Sequence, residues 1–241
     1  VNRTVAVIQA RTGSNRLPGK ILELLDGEAS LLAYQCRRLR NIAGVDELVI
    51  ATTENPDDDV IVNIAKAEGV RVFRGSEQDV LSRFLLVAEK TLATTLVRIT
   101  SDSPFRDPGV IATCVAEHHK HGSEYTRPAP DHLPKGMRAE VVETAVLRQL
   151  DADQHTTTRD REHVTVYIRE HAQAFRTHRV EFPQALNHPD FDLSVDTPAD
   201  LEFVRSIHSS LMARDWPADI EHICKMLEEV PVDETPLRGF A

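Results

Sequence analysis

Arg11, Arg16 and Lys20 place three cations within ten residues, interleaved with Gly13, Ser14 and Gly19. A guanidinium takes two oxygens of an anion at once, and an ammonium acts as a movable point charge. Glycines let the backbone turn its N–H groups toward the same ligand. Arg11, Gly13, Ser14, Arg16 and Lys20 together therefore suit a polyphosphate, and a triphosphate best matches the count of charges. Arg11 and Lys20 are the candidates to act on the reacting atoms by neutralising charge on a phosphate. The loop is not a Walker A sequence, because Lys20 is followed by Ile21, and it holds no Gly-x-Gly-x-x-Gly. The competing reading is a solvated basic loop.

Two acids answer these cations. Asp102 follows the apolar run Leu96–Ile99, and Asp196 follows Leu193–Val195. If both runs are strands, their carboxylates meet at the crevice beyond the strand ends, where open α/β sheets bind ligands. Magnesium takes oxygen donors and keeps several waters, so two carboxylates suffice to hold it. Against this, Asp102-Ser103-Pro104 also reads as a turn, and Asp196 as part of the cap of the next helix.

The elements that must position these groups follow from the pattern. Apolar, β-branched runs at 4–10, 46–52, 70–73 and 95–100 read as strands. Between them, Ser30–Arg40, Asp57–Glu68 and Glu77–Thr91 carry helical spacing. Strands alternating with such helices imply right-handed crossovers and a parallel, doubly wound sheet. Asn55-Pro56-Asp57-Asp58, Asp107-Pro108 and Thr197-Pro198-Ala199-Asp200 are helix starts, the last a capping box. From about residue 124 the alternation breaks. Tyr125 to Arg138 reads as an exposed loop, Ala139–Glu143 as a strand, Arg161–Ala172 as a helix and Phe175–Phe182 as a strand. Asp192–Val195 returns to the sheet, Thr197–Arg214 is a long helix, and Ala218–Glu229 a last one. The whole, 1–241, reads as one domain with an insert at about 124–185.

Composition narrows the partners. A net charge of −10 argues against nucleic acid, which leaves a basic footprint on its binders. No apolar run is long enough for a membrane span or a signal peptide, so a cytoplasmic protein is expected. Three distant cysteines, Cys36, Cys114 and Cys224, read as buried hydrophobes and not as a metal or redox set. His118, His119 and His121 close a helix before Gly122, where positive charge complements the helix dipole; a metal cluster there is the weaker reading.

The string Ile-Gln-Ala-Arg-x-Gly-Ser-x-Arg-Leu-Pro-Gly-Lys at 8–20 resembles the opening motif of the cytidylyltransferases that activate acidic sugars. These include the CMP-KDO and CMP-sialate synthetases, and the spore-coat polysaccharide biosynthesis branch is the nearest in pattern. Four more motifs follow in the family's order: Ala-Thr-Thr-Glu-Asn-Pro-Asp-Asp-Asp at 51–59, Phe-Arg-Gly-Ser-Glu-Gln-Asp-Val-Leu-Ser-Arg-Phe at 73–84, Arg-Ile-Thr-Ser-Asp-Ser-Pro at 98–104, and Asp-Arg-Glu-His-Val-Thr at 160–165. Val-Asp-Thr-Pro-Ala-Asp-Leu at 195–201 completes them.

The resemblance implies a Rossmann-like α/β fold of the nucleotide-diphospho-sugar-transferase kind, and CMP transfer from CTP to an acidic acceptor with Mg2+ and release of pyrophosphate. It assigns Asp102 and Asp196 to the metal, Arg83 to the nucleotide, and Thr52 and Thr53 to the border of a cytosine base. It assigns Arg138, Glu140, Arg161 and His163 to the acceptor, and gives the insert a part in the acceptor pocket and in a homodimer. Two departures stand out. Ser101 replaces the usual glycine before Asp102, and Gly136-Met137-Arg138-Ala139-Glu140 stands where relatives carry Gly-Leu-Asp-Val-Glu. The arginine adds positive charge, so a phosphonate or phosphorylated acid joins a nonulosonic or KDO-type sugar acid as an expected acceptor. The alternatives are a nucleotidyltransferase using another NTP and a non-catalytic nucleotide-binding regulator.

Overall fold

The computed structural model describes residues 2–14, 16–129 and 132–229. Its sheet starts with β1, Thr4–Gln9, which pairs in parallel with β2, Glu47–Thr53, and β4, Thr95–Thr100; β3, Arg71–Gly75, lies parallel outside β2. The other side of β4 carries the antiparallel β6, Glu140–Glu143, then β5, Tyr125–Pro128, and β7, Thr177–Val180, giving the order β3-β2-β1-β4-β6-β5-β7 among the described residues. β6 alone among these runs against the rest, so the mostly parallel, doubly wound sheet is the fold. No helix is long and apolar enough to cross a membrane among the described residues.

Helices cover both faces of the sheet. Side chains alternate along β1: Val5 and Val7 pack with Phe84, Leu81 and Val142, whereas Ala6 and Ile8 pack with Leu32, Cys36 and Ile111. A strand buried on both faces has no polar face, which is why 5–8 is apolar without interruption. On the first side lie α3, Val80–Thr91, and α5, Thr144–Ala152; on the second lie α1, Leu31–Arg38, α4, Pro108–His121, and α8, Pro198–Ala213. α2, Asp59–Ala67, follows a 3-10 turn at Pro56–Asp58 that Asn55 caps, with proline in the first turn. Asp107 caps α4 by accepting from the Val110 N–H, and Thr197 caps α8 in a reciprocal box with Asp200. The three starts are as the sequence dictates.

The insert departs further from simple alternation than its sequence suggests. The expected loop 125–138 opens with β5, whose Tyr125 is buried, and its later residues Leu133 and Met137 are also buried. Apolar side chains spaced among prolines hid this. The helix expected at 161–172 is two short ones, α6, Thr158–His163, and α7, Val166–Glu170, parted by Val164. Val164 sits at φ +56°, and the Thr165 N–H donates to the His163 carbonyl at 2.5 Å. A β-branched residue in that region is strained. Residues 192–195 are not a strand of the sheet; only a bridge between Lys135 and Asp192 is formed. α5 carried no recognised start signal, its N-cap being Glu143 with no side-chain cap bond.

α9, Ile220–Glu229, closes the described chain against α8. The three cysteines are buried and free, and burial pushes each thiol up to about 12, as expected of small hydrophobes. The three histidines near the end of α4 do not form one cluster: the His118 and His119 rings meet edge to face, while His121 sits with Glu117 and His178. His118 bonds Thr126 and Glu143, His119 bonds Thr4, and His121 joins Glu117 and stacks on His178.

Candidate active site

The basic loop leaves β1 at Ala10, whose N–H donates to the Ala51 carbonyl at 3.1 Å. Its shape is held from below by Asp58, a buried carboxylate at the start of α2. Asp58 Oδ1 accepts from the Thr12 N–H and the Thr12 hydroxyl, each at 2.7 Å, and Oδ2 accepts from the Thr53 hydroxyl. Burial opposes ionisation of Asp58, yet these bonds outweigh it and hold the carboxyl below its ordinary range. The loop closes where the Gly19 N–H meets the Thr12 carbonyl at 3.0 Å. Gly19 lies at φ +69°, a conformation natural to glycine, and starts the 3-10 turn Lys20–Leu22. Lys20 is thereby turned inward.

The two aspartates come from distant parts of the chain and are tied together. Gln35, buried on α1, donates from Nε2 to the carbonyls of Thr100 at 3.0 Å and Ser103 at 2.8 Å, pinning the turn that carries Asp102. The Val195 N–H then donates to the Asp102 carbonyl at 2.8 Å. Thr197, not Asp196, is the cap of α8, and Asp200 accepts from the N–H groups of Asp196 and Thr197 at 2.9 and 2.7 Å. The Asp196 side chain is thus spared for other work. Its Oδ1 lies 2.9 Å from Lys20 Nζ and its Oδ2 2.9 Å from Arg16, while Asp102 Oδ2 lies 3.6 Å from the same Nζ. Two carboxylates converging on one cation form a hard-oxygen donor set of the kind a divalent ion takes, so these residues fit the expected metal.

Two cavities of about 370 Å³ each meet at this point. The first is lined by Arg11, Gly13, Ser14, Arg16, Lys20 and Arg83 together with His163, and the second by Arg106, Arg127, Arg138, Glu140 and Arg169. Asp102 and Asp196 border both, as do Arg16, Arg98 and Thr100. The whole basic loop set therefore faces one space, and Arg83, although only 3% exposed, reaches it from α3. Burial, aided by the nearby Arg11 charge, pulls the Arg83 guanidinium below its ordinary value.

Four expected site residues are placed differently from their assignment. Thr52 and Thr53 are fully buried and line neither cavity; Thr53 works through Asp58 on the loop behind. Their strand-end position was right, but their side chains point into packed structure. Arg161 also lines neither cavity. It pairs with Asp79 at 2.7 Å and Asp151 at 2.9 Å, clamping α6 to the start of α3 and the end of α5. His163 lines the first cavity beside Glu162 and not the second, so it stands with the loop cations and not with Arg138 and Glu140.

Glu140 does line the second cavity, but its oxygens are taken up. It accepts from Arg98 at 2.6 Å, Arg169 at 3.3 Å, the Thr165 hydroxyl at 3.0 Å and the Tyr125 hydroxyl. Burial pushes its carboxyl up most strongly, and the Arg98 and Arg169 charges with the Tyr125 bond overcome this, leaving it at about 2. Arg98, Arg106, Arg127, Lys135 and Arg169 escaped the sequence reading. For Arg98 a signal was there: a charge inside the apolar strand Thr95–Thr100 needs a partner. Arg106, between Phe105 and a helix cap, offered none.

Comparisons with known proteins place the chain in a family. The family model described as cytidylyltransferase matches residues 5–229. The chain is 37% identical over 212 residues to the spore coat polysaccharide biosynthesis protein SpsF of Bacillus subtilis, covering 86% of this chain and 87% of that one. It superposes on a cytidylyltransferase structure from Leptospira borgpetersenii with a TM-score of 0.88 at 27% identity, covering 100% of both chains. A CMP:2-keto-3-deoxy-manno-octonic acid synthetase complexed with CTP shares the fold, with a TM-score of 0.63 at 20% identity over 89% of this chain and 100% of that one.

Proposed function

The chain belongs to the cytidylyltransferase family, and from that premise we propose that it transfers CMP from CTP to a small acidic acceptor with release of pyrophosphate. The observation that carries the reading is the meeting of two cationic cavities at Asp102, Asp196 and Lys20. The triphosphate lies along the basic loop in the first cavity, and the acceptor occupies the second. An anionic acceptor oxygen, or a hydroxyl oxygen that gives its proton to water, attacks the α-phosphorus, the bond to the β-phosphate oxygen breaks, and pyrophosphate leaves with the electron pair.

The chain's own groups answer the charge problem of that step. Arg11, Arg16 and Arg83 hold the polyanion, and Lys20 neutralises negative charge developing at the α-phosphate. Asp102 and Asp196 would hold Mg2+, which supplies Lewis-acid polarisation of phosphate oxygens when bound. The acceptor in this reading is a nonulosonic or KDO-type sugar acid or a small phosphonate or phosphorylated acid, and polysaccharide biosynthesis is the fitting context given the named relative. The same reading has the enzyme working in the cytoplasm as a homodimer through the 124–185 insert, which light scattering checks.

Pyrophosphate release, measured with each of the four NTPs across sialic-type, KDO-type and phosphonate acceptors, tests the proposal. CTP-selective, acceptor-dependent release is expected. Release with another NTP but not CTP would overturn the cytidylyl assignment, and nucleotide binding without release across the panel would favour a regulator.

A further inference from the structure

Among the described residues that line the second cavity, seven are Arg or Lys and three, Asp102, Glu140 and Asp196, are carboxylates. Most of those cations are spoken for. Arg98 and Arg169 hold Glu140, Arg16 holds Asp196, and Lys135 holds Asp192 at 2.6 Å.

Arg106 is different. It is only 7% exposed and forms no ion pair among the described residues. Its Nη2 donates to the Thr100 hydroxyl at 2.9 Å, and its buried Nε has no hydrogen-bond partner. Burial draws this guanidinium down to about 10, with the more distant Asp102 and Glu140 charges working against that, so it stays charged at neutral pH. Burying a charge without a paired carboxylate is strongly unfavourable unless a ligand completes the site.

We propose, on the reading that the second cavity takes the acceptor, that Arg106 is an anion-binding residue for a doubly charged tetrahedral group, phosphonyl or phosphoryl, on that acceptor. Arg127 and Arg138 line the same cavity, and Arg138 is near enough to Arg106 for the two charges to oppose each other. A carboxylate offers two oxygens and one charge, which one guanidinium satisfies. A phosphonyl group offers three oxygens and up to two charges, which several guanidiniums share. An anion in this cavity would face both Arg106 and Arg138.

The test is a ligand-observed NMR titration of the CTP-saturated protein with methylphosphonate and with acetate, on wild type, Arg106→Leu and Arg106→Lys. Wild type is expected to bind methylphosphonate about tenfold or more tighter than acetate, Arg106→Leu to lose about tenfold for methylphosphonate, and Arg106→Lys to fall between. Equal binding of the two anions by wild type overturns the proposal, as does a folded Arg106→Leu that binds methylphosphonate like wild type. Should Arg106→Leu fail to fold by circular dichroism, the wild-type preference and Arg106→Lys decide. CTP affinity is measured separately. Arg106-dependent methylphosphonate binding by a protein that does not take CTP upholds the anion subsite and overturns the cytidylyl reading instead.

Discussion

The Lys20 ammonium lies 2.9 Å from Oδ1 of Asp196, 176 positions further along the chain, and 2.7 Å from the Val195 carbonyl before it. With Asp102 Oδ2 at 3.6 Å, it stands between the two acids that border both cavities. Lys20 is thus the counter-ion of Asp196 here, and the proposed function gives it a second role at the attacked phosphate.

Replacing Lys20 with Met keeps the stem and removes the charge. Loss of a charge-assisted contact that strengthens in the transition state should lower kcat/KM by about 2–4 kcal/mol, or roughly two to three orders of magnitude. Steady-state pyrophosphate release measures it. A variant within a few-fold of wild type would show that Lys20 is only the counter-ion of Asp196.

Asp102→Asn and Asp196→Asn keep the shape of the joint while removing the negative charge that holds a divalent ion. Both should be inactive at ordinary Mg2+ concentration, and added Mg2+ should restore part of the activity. Titrating metal into each variant makes the check. An unchanged Mg2+ dependence in either one would mark that aspartate as a structural residue.

Loop order is a separate matter from charge, and Asp58 separates them. Its carboxylate holds both groups of Thr12, and a hydrogen bond to a charged group contributes about 1.5–3 kcal/mol. Asp58→Ala should therefore raise KM for CTP with Lys20, Asp102 and Asp196 intact. CTP affinity by calorimetry, set beside the thermal midpoint, distinguishes a loosened loop from general unfolding. Unchanged affinity in a folded variant would remove Asp58 from the account of the loop.

The sequence made the loop and the two acids legible because their information is local. Glycine at Gly19 marks the turn that aims Lys20, and an apolar run before each aspartate marks the carrier segment, even though 192–195 proved not to be a strand. What stayed hidden depends on contacts between distant residues. Thr52 and Thr53 stand at the strand end, yet which way each side chain points follows from packing, as where the Thr53 hydroxyl donates to Asp58. Arg161 and His163 are two residues apart on one short helix and face different surroundings, which spacing alone does not reveal. The cationic wall of the second cavity draws Arg98, Arg106, Arg127 and Arg169 from separate elements, so no local pattern announces it.

Glu140 gives a pH signature. Its carboxyl is held down from 4.5 to about 2, with burial raising it and Arg98 and Arg169 lowering it more. A depressed folded value contributes stability above the unfolded value and loses it as pH falls toward the folded one. The loss should fall between about pH 4.5 and 2 and be on the order of 3 kcal/mol from the size of the shift. Glu140→Gln removes the titrating group, so its unfolding free energy should change less across that window than that of wild type. Urea unfolding of both proteins at several pH values compares them. Parallel pH profiles would show that Glu140 does not carry this linkage.

Arg138 carries the expectation about selectivity. It lines the second cavity and not the first, and its Nε and Nη2 donate to the Leu133 carbonyl at 3.2 and 2.9 Å, which fixes the side chain along the loop. A guanidinium so fixed loses little freedom on meeting an anion. Arg138→Asp should raise KM for an anionic acceptor by about tenfold or more while changing KM for CTP by no more than about twofold. It should also admit an acceptor with less negative charge, since an acid there no longer asks for an anion. Full kinetics with both substrates varied separate the two constants. Equal small changes in both would place Arg138 on the rim, and acceptor selection would then fall to Arg106 and Arg127 in the same wall.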